Sequence, residues 1–432
     1  MKVLIISHNP ITTHQNMGKT MLTLFSAFKK EDLCQLYVYP TIPDVDKCNS
    51  YYRITDKDVL KSCYRFKVVG KKISKEEILS AKSQLFEKDG DELLYRNTKN
   101  KRAYRKILRD LMWKISPWYN RSIKEWLERE CPTHIFLAPG EAKFIYDIAL
   151  KISKEFNLPI IAYECDDYYF TKNKKGLLNK IHQYGLKRKI EKLMAKTSHI
   201  IAICDQLKES YSEKFSISAT TVMTGANYSI ASKPKVIEKI KRITYLGNIR
   251  LNRYLSIAEV GKVIDEINME NGTSYYLDVY SREKDENILA AFCDVKSINF
   301  RGFVSGKDFD EIFYNSQTLL HVEAFDEESI DRVKYSISTK IADSLASGIC
   351  LFAYGPESVA SIDYLIENDC AIYCTDRQEL KDKLQILFND SETRNRVIVN
   401  AINTAKENHD LNIVGNKVRK IIENIYNESF AS

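Results

Sequence analysis

Residues 319–356 read LLHVEAFDEESIDRVKYSISTKIADSLASGICLFAYGP, and the order of apolar and polar stretches in them decides the fold. A buried strand at Leu319–Val322 runs into an acidic loop, and a helix that begins near Lys340 ends at Gly348. A second apolar strand follows at Ile349–Tyr354. A strand, a helix and a second strand in this order predict a right-handed parallel crossover.

The loop of this crossover lies where open parallel sheets bind ligands, at the carboxyl end of one strand and the amino end of the next helix. Free backbone N–H groups at a helix start favour an anion, and Ser338 and Thr339 add polar side chains there. Lys340, in the first turn, carries the wrong charge for the helix dipole. A bound anion would offset that cost, so we predict an anion site with Lys340 as its cation.

This segment resembles the donor-binding signature of the GT-B glycosyltransferases, particularly glycosyltransferase family four, which is retaining and uses nucleotide sugars. The family has a serine, a lysine and a helix of pattern xxEyLAsGxPvla here, and residues 338–348 read STKIADSLASG. The family often carries two glutamates in this region, and their positions are occupied here by Tyr335 and Asp343. The resemblance implies that Asp343 accepts hydrogen bonds from ribose hydroxyls, and that no metal and no cofactor is required.

The resemblance implies an α/β protein of GT-B architecture, with two Rossmann-like doubly wound domains and an interdomain cleft. In agreement, β-rich runs alternate with helical stretches in both halves of the chain. We expect an acceptor-binding domain at 1–232 with a helical insertion at about 71–130, a donor-binding domain at 233–410, and a C-terminal helix at 411–432 that packs back on the first domain. The strands predicted in the first half are Val3–Ile6, Gln35–Tyr39, Tyr64–Val69, His134–Leu137, Ile160–Tyr163, His199–Ile203 and Thr221–Met223.

Composition and charge narrow the class of protein. The chain has 432 residues and a net charge of +7, and no apolar stretch approaches the roughly 20 residues that span a bilayer. Its ten cysteines show no metal-ligand spacing, which favours reduced thiols in the cytoplasm. No nucleic-acid-binding motif accompanies the charge.

The positive charge is concentrated in the first half. Residues 61–130 contain 19 Lys and Arg against 10 Asp and Glu, and residues 171–196 contain 9 against 1. All three tryptophans (Trp113, Trp118, Trp126) lie in the first of these segments. A basic face with aromatic residues suits an anionic membrane, which would make the protein peripheral at the inner face of the membrane. The alternative is a solvated helix face over a core built from the tryptophans.

A turn after the first strand of the second half predicts contacts with the donor diphosphate. Gly247 and Asn248 directly follow the predicted strand Arg242–Leu246, and small residues there let a phosphate approach the backbone. Arg250 or Arg253 would then hold the phosphate through two hydrogen bonds, and Arg250 matches an arginine of the family pattern. The alternative is a surface loop with arginines.

A second turn, Gly302-Phe303-Val304, follows the predicted strand Ile298–Arg301. It resembles the family's turn whose backbone pairs with the edge of the nucleotide base. We therefore predict that these three residues bind the donor.

The candidates for acceptor binding lie at strand ends of the first half. Gly18-Lys19-Thr20 is not a P-loop, because position 13, where that motif needs glycine, is a threonine. Asp166 and Asp167 are candidates to bind acceptor hydroxyls or act as a base, and a turn or helix cap is the equal alternative. The other acceptor-side candidates are His8, Gly18, Gly140 and Glu141.

The sequence thus predicts a glycosyltransferase that moves a sugar from a nucleotide diphosphate sugar, UDP-linked, to a glycan or lipid-linked acceptor. If it follows the family, the anomeric configuration is retained, and bacterial surface-polysaccharide assembly is the expected setting. Lys340, Arg250, Asp166 and Asp167 are the predicted catalytic residues. The alternatives are a nucleotide-sugar epimerase of the same fold and a degenerate GT-B module that binds without turnover.

Overall fold

The computed structural model of the protein describes residues 1–13, 16–65, 69–83, 103–171, 176–235 and 237–431. The chain forms two compact units, residues 1–224 with 411–432, and residues 225–410. Each unit is built around its own sheet, and each is described by itself below. Within the described residues, no helix is long and apolar enough to cross a membrane.

The first unit contains an eight-stranded sheet in its described part, with strand order β4-β3-β2-β1-β5-β6-β7-β8. All neighbouring strands pair in parallel except β3 and β4, which are antiparallel. The central strands are buried along their whole length, as expected for a sheet covered by helices on both faces. The strands are β1 (Val3–Ser7), β2 (Leu33–Tyr37), β3 (Ser50–Arg53), β4 (Lys71–Ile73), β5 (His134–Ala138), β6 (Ile160–Glu164), β7 (Thr197–Ala202) and β8 (Ala219–Thr221).

The helices of the first unit connect these strands. They are α1 (Asn16–Leu24), α2 (Asp56–Arg65), α3 (Lys75–Ser83), α4 (Ala103–Ile115), α5 (Arg121–Glu130), α6 (Lys143–Phe156), α7 (Leu177–Met194), α8 (Asp205–Phe215) and, at the C-terminus, α17 (Leu411–Ala431), with a 3₁₀ turn at Lys30–Asp32. The helical insertion predicted at about 71–130 includes α3, α4 and α5, whereas its residues 84–102 lie outside the described part of the chain.

The second unit has a six-stranded parallel sheet in its described part, with order β11-β10-β9-β12-β13-β14. Its strands are β9 (Arg242–Leu246), β10 (Tyr276–Tyr280), β11 (Ile298–Gly302), β12 (Thr318–Val322), β13 (Cys350–Tyr354) and β14 (Ile372–Cys374). Its helices are α9 (Arg253–Asn271), α10 (Glu286–Leu289), α11 (Lys307–Tyr314), α12 (Glu327–Val333), α13 (Thr339–Ala346), α14 (Ala360–Glu367), α15 (Leu380–Asn389) and α16 (Ser391–Asn408), with 3₁₀ turns at Ala290–Phe292 and Arg377–Glu379. Two parallel-sheet units confirm the predicted α/β fold class.

The final helix, α17, packs on α1 of the first unit. The hydroxyl of Ser26 donates to the Leu411 carbonyl over 2.5 Å. Gly415 allows the close approach, since a Cβ there would lie 2.6 Å from the Ala27 nitrogen. Val418 and Ile422 are buried in the core of this unit.

The strand predicted at Tyr64–Val69 is wrong at its start, because Tyr64 and Arg65 end helix α2, and its residues 66–68 lie outside the described part of the chain. The helix begins where the Thr55 backbone N–H donates to Asp58 and the Asp58 N–H donates back to the Thr55 hydroxyl, at 2.9 and 3.2 Å. This reciprocal pair is a helix-start signal of the capping-box type. The strand that pairs with β2 is instead the aromatic run β3.

The acidic loop predicted after β12 also contains a helix, α12. Asp326 caps it, because its carboxylate accepts a hydrogen bond from the Ser329 backbone N–H over 3.0 Å. Two acidic residues, Glu327 and Glu328, occupy the first turn, where they suit the helix dipole.

Two of the three tryptophans belong to the core of the first unit. Trp113 and Trp126 are buried, and their indole N–H groups donate to Asp56 and Ser50 over 2.7 and 2.8 Å. Arg109 forms a buried ion pair with the same Asp56 carboxylate at 3.0 Å. The side chains of Trp113 and Trp126 therefore face inward, as expected if the tryptophans build a core under a solvated helix face.

Candidate functional site

The second unit has a topological switch point between β9 and β12. Its strand order runs from β9 outward to β10 and β11 on one side and from β12 outward to β13 and β14 on the other. Open α/β sheets bind ligands in the crevice at such a point, outside the carboxyl ends of the strands. Leu246 and Val322 end the two strands that flank this crevice.

Lys340 brings its ammonium to this crevice although its helix, α13, follows β12. The ammonium donates to the Leu246 carbonyl over 2.6 Å. It also covers the turn after β9, because a Cβ on Gly247 would lie 2.4 Å from the Lys340 nitrogen. The lack of a side chain at Gly247 is therefore what lets the cation reach the switch point.

The surroundings of Lys340 lower the pKa of its ammonium. The residue as a whole is exposed, so its aliphatic stem meets solvent, whereas its ammonium is turned inward onto the Gly247 turn. Burial of the ammonium and the nearby positive charge of Arg253 lower the pKa of Lys340 to about 8. The carboxylates of Asp343 and Glu323 oppose that change. A diphosphate bound here would restore the charged form.

Arg253, which is half-buried, and Glu323, which is buried, form a bidentate pair across the crevice. The Arg253 Nε and one terminal nitrogen donate to the two Glu323 oxygens at 2.8 and 3.0 Å. Burial raises the pKa of Glu323, and Arg253 opposes that rise. The pair joins the start of α9, after β9, to the end of β12 and so fixes the width of the crevice near Lys340.

Arg250 lies on the same turn but is more exposed. Its guanidinium donates to both oxygens of Glu283, at 2.6 and 3.1 Å. These hydrogen bonds from Arg250 lower the pKa of Glu283 to about 2. Asn248 shapes the turn, because its side-chain oxygen accepts from the Arg250 backbone N–H over 2.9 Å.

Helix α13 has Ser338 as its cap and contains Thr339 and Asp343. Ser338 is its N-cap, with the Lys340 backbone N–H donating to the Ser338 hydroxyl over 3.4 Å, and Thr339 is its first residue. Asp343 accepts hydrogen bonds from the backbone and side-chain nitrogens of Asn227, at 2.7 and 3.1 Å. In this structure Asp343 therefore ties α13 to the segment that precedes β9.

The predicted base-binding turn lies at the carboxyl end of β11, on the same edge of the sheet as the turn after β9. Gly302 has a left-handed φ of 74°, and a Cβ there would meet nothing within 4 Å. The Gly302 carbonyl accepts from the Ser281 N–H over 2.8 Å. Phe303 is exposed, and the Arg282 guanidinium lies 3.8 Å from the centre of its ring; Val304 follows it and is half-buried.

Arg282 and Glu283 are two residues at this edge that the sequence analysis missed. Both directly follow β10, so the rule that identified the turns after β9 and β11 also applies to them. The ion pair of Glu283 with Arg250 and the stack of Arg282 on Phe303 show that this third turn belongs with the other two.

The predicted acceptor-side residues of the first unit also meet at strand ends. His8 follows β1 and Gly140 follows β5, and a Cβ on Gly140 would lie 2.9 Å from the His8 ring. Glu141 forms an ion pair with Lys106 of α4. Gly18 is in α1, where a Cβ would lie 2.7 Å from the Pro10 carbonyl oxygen, so a close approach of the loop to the helix requires glycine there.

Asp166 and Asp167 follow β6 and have different surroundings. Asp167 accepts from the backbone N–H groups of Tyr169, Phe170 and Thr171 at 2.8, 2.8 and 2.6 Å, so it closes a tight turn. Asp166 accepts a long bond of 3.4 Å from the Tyr168 hydroxyl. The structure thus gives Asp167 an anchoring function in the loop.

Glu164, the last residue of β6, is buried beside this pair. Burial, followed by the negative charges of Asp167 and Asp166, raises its pKa to about 8. A carboxyl group that is protonated near neutral pH can donate a proton, which is a common property of functional sites. Among the described residues, no three His, Cys, Asp or Glu side chains form a group that would hold a metal ion.

Solved structures with the same architecture identify the fold. Sucrose-phosphate synthase from Thermosynechococcus elongatus superimposes with a TM-score of 0.62 at 9% identity, covering 99% of each chain. HepE of Anabaena, in complex with UDP, gives 0.62 at 10% identity over 98% of this chain and 100% of that one. An alpha,alpha-trehalose-phosphate synthase (UDP-forming) from Burkholderia vietnamiensis gives 0.58 at 10% identity over 98% and 100%.

The chain has the GT-B fold. Identities of 8–10% to the full-length neighbours show the fold and nothing finer. No protein-family model matches the sequence, and no curated protein matches it. The chemistry of this GT-B protein must therefore be argued from its own residues.

Proposed function

We propose that this protein is a glycosyltransferase that takes a sugar from a nucleoside diphosphate sugar. The observation that supports this most strongly is the position of Lys340. Its ammonium lies over the glycine turn after β9, at the switch point of the second sheet, 2.6 Å from the Leu246 carbonyl. A cation, a helix start and a side-chain-free turn together form a site for a diphosphate.

Such a site suits the bond that breaks in glycosyl transfer. The bond between the anomeric carbon and the diphosphate oxygen is cleaved, and negative charge grows on the departing diphosphate. Fixed donors that point to the growing charge lower the barrier, and losing one typically costs about 10²–10³ in rate. Lys340 and the first N–H groups of α13 would be those donors, with the Arg253–Glu323 pair holding the crevice open beside them.

We infer that the donor is UDP-linked. HepE of Anabaena binds UDP, UDP with glucose, and UDP-glucose in three of its structures, and a pneumococcal O-GlcNAc transferase with the same architecture over 70% of this chain was solved with UDP and GlcNAc. The exposed Phe303 ring, with Arg282 stacked on it, gives a flat surface for a base beside the Gly302 turn. By the family pattern, Asp343 would accept from ribose hydroxyls in addition to Asn227.

The acceptor would be a glycan or a lipid-linked sugar, bound at the strand ends of the first unit. Asp166 is the better candidate there for an acceptor hydroxyl or a base, because Asp167 already accepts three backbone hydrogen bonds. His8, Gly140 and Glu141 would line the same edge. Retention of the anomeric configuration and a place in bacterial surface-polysaccharide assembly are part of the proposal.

A binding module without turnover is the second candidate, and the ion pairs of the site favour it. Arg250 and Arg253 both have carboxylate partners, Glu283 and Glu323. A donor diphosphate would need Arg250 to leave Glu283. If it does not leave, the site binds a nucleotide sugar but stabilises the departing charge poorly.

A two-stage assay tests the proposal. First, a panel of nucleotide sugars is screened by thermal shift, since a ligand that binds only the folded state raises the melting temperature. Release of the nucleoside diphosphate from each stabilising sugar is then measured with and without glycan and lipid-linked acceptors. We expect turnover in the native protein and a loss of about 10²–10³ in Lys340→Ala.

The matched control is Lys334→Ala, because Lys334 is an exposed lysine six residues away that lies over the Tyr335 ring. It should keep native turnover. Stabilisation by a nucleotide sugar without any release would favour the binding module. If no nucleotide sugar either stabilises the protein or is cleaved, the proposal is wrong.

A further inference from the structure

The first unit exposes an apolar stripe on helix α4. Leu108, Leu111 and Ile115 are each more than half exposed, and their intervals of three and four residues place them on one face of the helix. The buried residues of α4, Arg109 and Trp113, lie on the opposite face. The helix is therefore apolar on the side that meets solvent as well as on the side that meets the core.

Helix α7 repeats this arrangement and packs against α4. Leu177, Ile181 and Tyr184 are 74%, 53% and 64% exposed and share one face, whereas Leu186 and Ile190 are buried on the other. The contact between the two helices includes His182 Nε2 and Asp110 Oδ2, 3.3 Å apart. The two stripes thus turn away from the same core, and we name them together the α4–α7 outer face.

Six large exposed apolar side chains on two adjacent helices are uncommon on a monomeric soluble protein. Much exposed apolar surface on neighbouring elements marks a site that contacts another molecule or a membrane. Leu177 and Ile115 contribute little to the core of the first unit, because they are 74% and 66% exposed. An occupant is therefore needed.

The charges beside the outer face decide what that occupant is. On α7 the exposed Lys180, Arg188 and Lys192 flank the stripe, and the Arg188 guanidinium lies 5.6 Å from the centre of the Tyr184 ring. The exposed Lys114 flanks the stripe of α4. Helix α7 has five Lys and Arg and a single acid, Glu191. Apolar side chains bordered by cations are the pattern of a surface that lies on anionic lipid.

A second copy of the chain fits this face less well. A symmetric dimer would bring the same patch of both copies together, and the cations of α7 would then face each other across the interface. Like charges opposed in this way cost several kcal/mol. An anionic bilayer instead accepts the apolar stripe and neutralises the cations.

We propose that the α4–α7 outer face is the surface on which this protein docks to an anionic lipid bilayer. The inference does not depend on the transferase proposal. The apolar side chains enter the boundary between headgroups and acyl chains, and the cations of α7 contact the acidic headgroups. Binding requires both kinds of group.

The test is co-flotation of the full chain with vesicles of neutral phosphatidylcholine, and with vesicles that also contain phosphatidylglycerol. We expect binding only to the anionic vesicles, and a loss of binding when salt is raised, because screening shortens the reach of the headgroup charge. An apolar variant, Leu111→Gln with Ile115→Gln and Ile181→Gln, should bind at least about tenfold more weakly, since burying such side chains drives interfacial binding.

A charge variant tests the second requirement. Lys180→Gln with Arg188→Gln and Lys192→Gln should lose the preference for anionic vesicles. Its matched control makes the same change in charge on exposed lysines of the second unit, Lys239→Gln with Lys296→Gln and Lys307→Gln, and should bind as the native chain does. Thermal melting in solution checks that each variant is folded.

Several results would overturn the proposal. These are equal binding to neutral and anionic vesicles, absence of binding to either, and unchanged binding of either the apolar or the charge variant. Light scattering at rising protein concentration tests whether a second copy of the chain binds this face instead. A dimer that the apolar variant abolishes would assign this face to a second copy of the chain instead.

Discussion

The affinity of this protein for UDP should depend on pH through Lys340. Burial and Arg253 lower the pKa of the ammonium to about 8. Lys340 is then charged in about nine tenths of the molecules at pH 7 and in about one tenth of them at pH 9. Because only the charged form attracts the diphosphate, we expect UDP to bind about tenfold more weakly at pH 9 than at pH 7.

His321, beside Lys340 and Arg253, does not change its charge across this interval. Burial and Arg253 lower the pKa of His321 to about 3, so it is neutral throughout. The second ionisation of a phosphate has a pKa of about 6, so the diphosphate of UDP keeps its charge above pH 7. Glu164 also has a pKa raised to about 8, but it belongs to the first unit and remains in every variant used here.

Calorimetric titration with UDP at several pH values between 7 and 9 measures the effect. Binding at pH 8.5 should also take up about three quarters of a proton per UDP, because the bound diphosphate restores the charged lysine. Buffers of different ionisation enthalpy reveal that uptake. The variant Lys340→Met should bind weakly at every pH and take up no proton, and Lys334→Met should behave as the native protein does.

An affinity that stays constant from pH 7 to 9 would refute this reasoning. So would a native pH dependence in Lys340→Met, since the titrating group would then be another residue. In either case the cation at the switch point would not be the group that holds the diphosphate.

Three further predictions concern the ion pairs and carboxylates. Glu283→Gln should release Arg250 and strengthen UDP binding several-fold in calorimetry, with little change in stability because a pair whose arginine is 57% exposed contributes about 0–1 kcal/mol; weaker binding would mean that the pair itself shapes the site. Asp167→Ala should lower the free energy of unfolding in urea by about 2–3 kcal/mol, since it leaves backbone N–H groups of its turn without a charged acceptor; an unchanged unfolding curve would contradict the anchoring function. Asp166→Asn should leave stability and UDP affinity unchanged while sugar transfer to an acceptor is lost, and full transfer would remove Asp166 from the acceptor site.

The local pattern of the sequence was sufficient for strands β12 and β13 and for helix α13. The apolar runs at 319–322 and 349–354 are strands β12 and β13 in the structure, with the crossover between them. Alternation of short apolar runs with helical stretches is a property of neighbouring residues, so it can be read without knowing the fold. The same applies to the polar residues Ser338 and Thr339 at the predicted helix start, where the structure has Ser338 as the cap of α13.

The errors in secondary structure arose where short-range capping competed with hydrophobic pattern. Residues 64–69 have β-forming side chains, but the Thr55–Asp58 pair starts a helix that runs through Arg65. The acidic stretch after β12 has no apolar periodicity, and the Asp326 cap nevertheless starts α12 there. In both cases a side-chain hydrogen bond to the backbone decided the element.

The partners of the charged side chains were decided only by the tertiary structure. Lys340 reaches the Leu246 carbonyl from 94 residues away, Arg253 meets Glu323 from 70 away, and Asp343 meets Asn227 from 116 away. The sequence marks Lys340 as lying at a helix start and Arg253 as lying after a strand. Which of them meet depends on the order of the strands in the sheet, and that order is fixed by packing of the whole unit rather than by any local stretch.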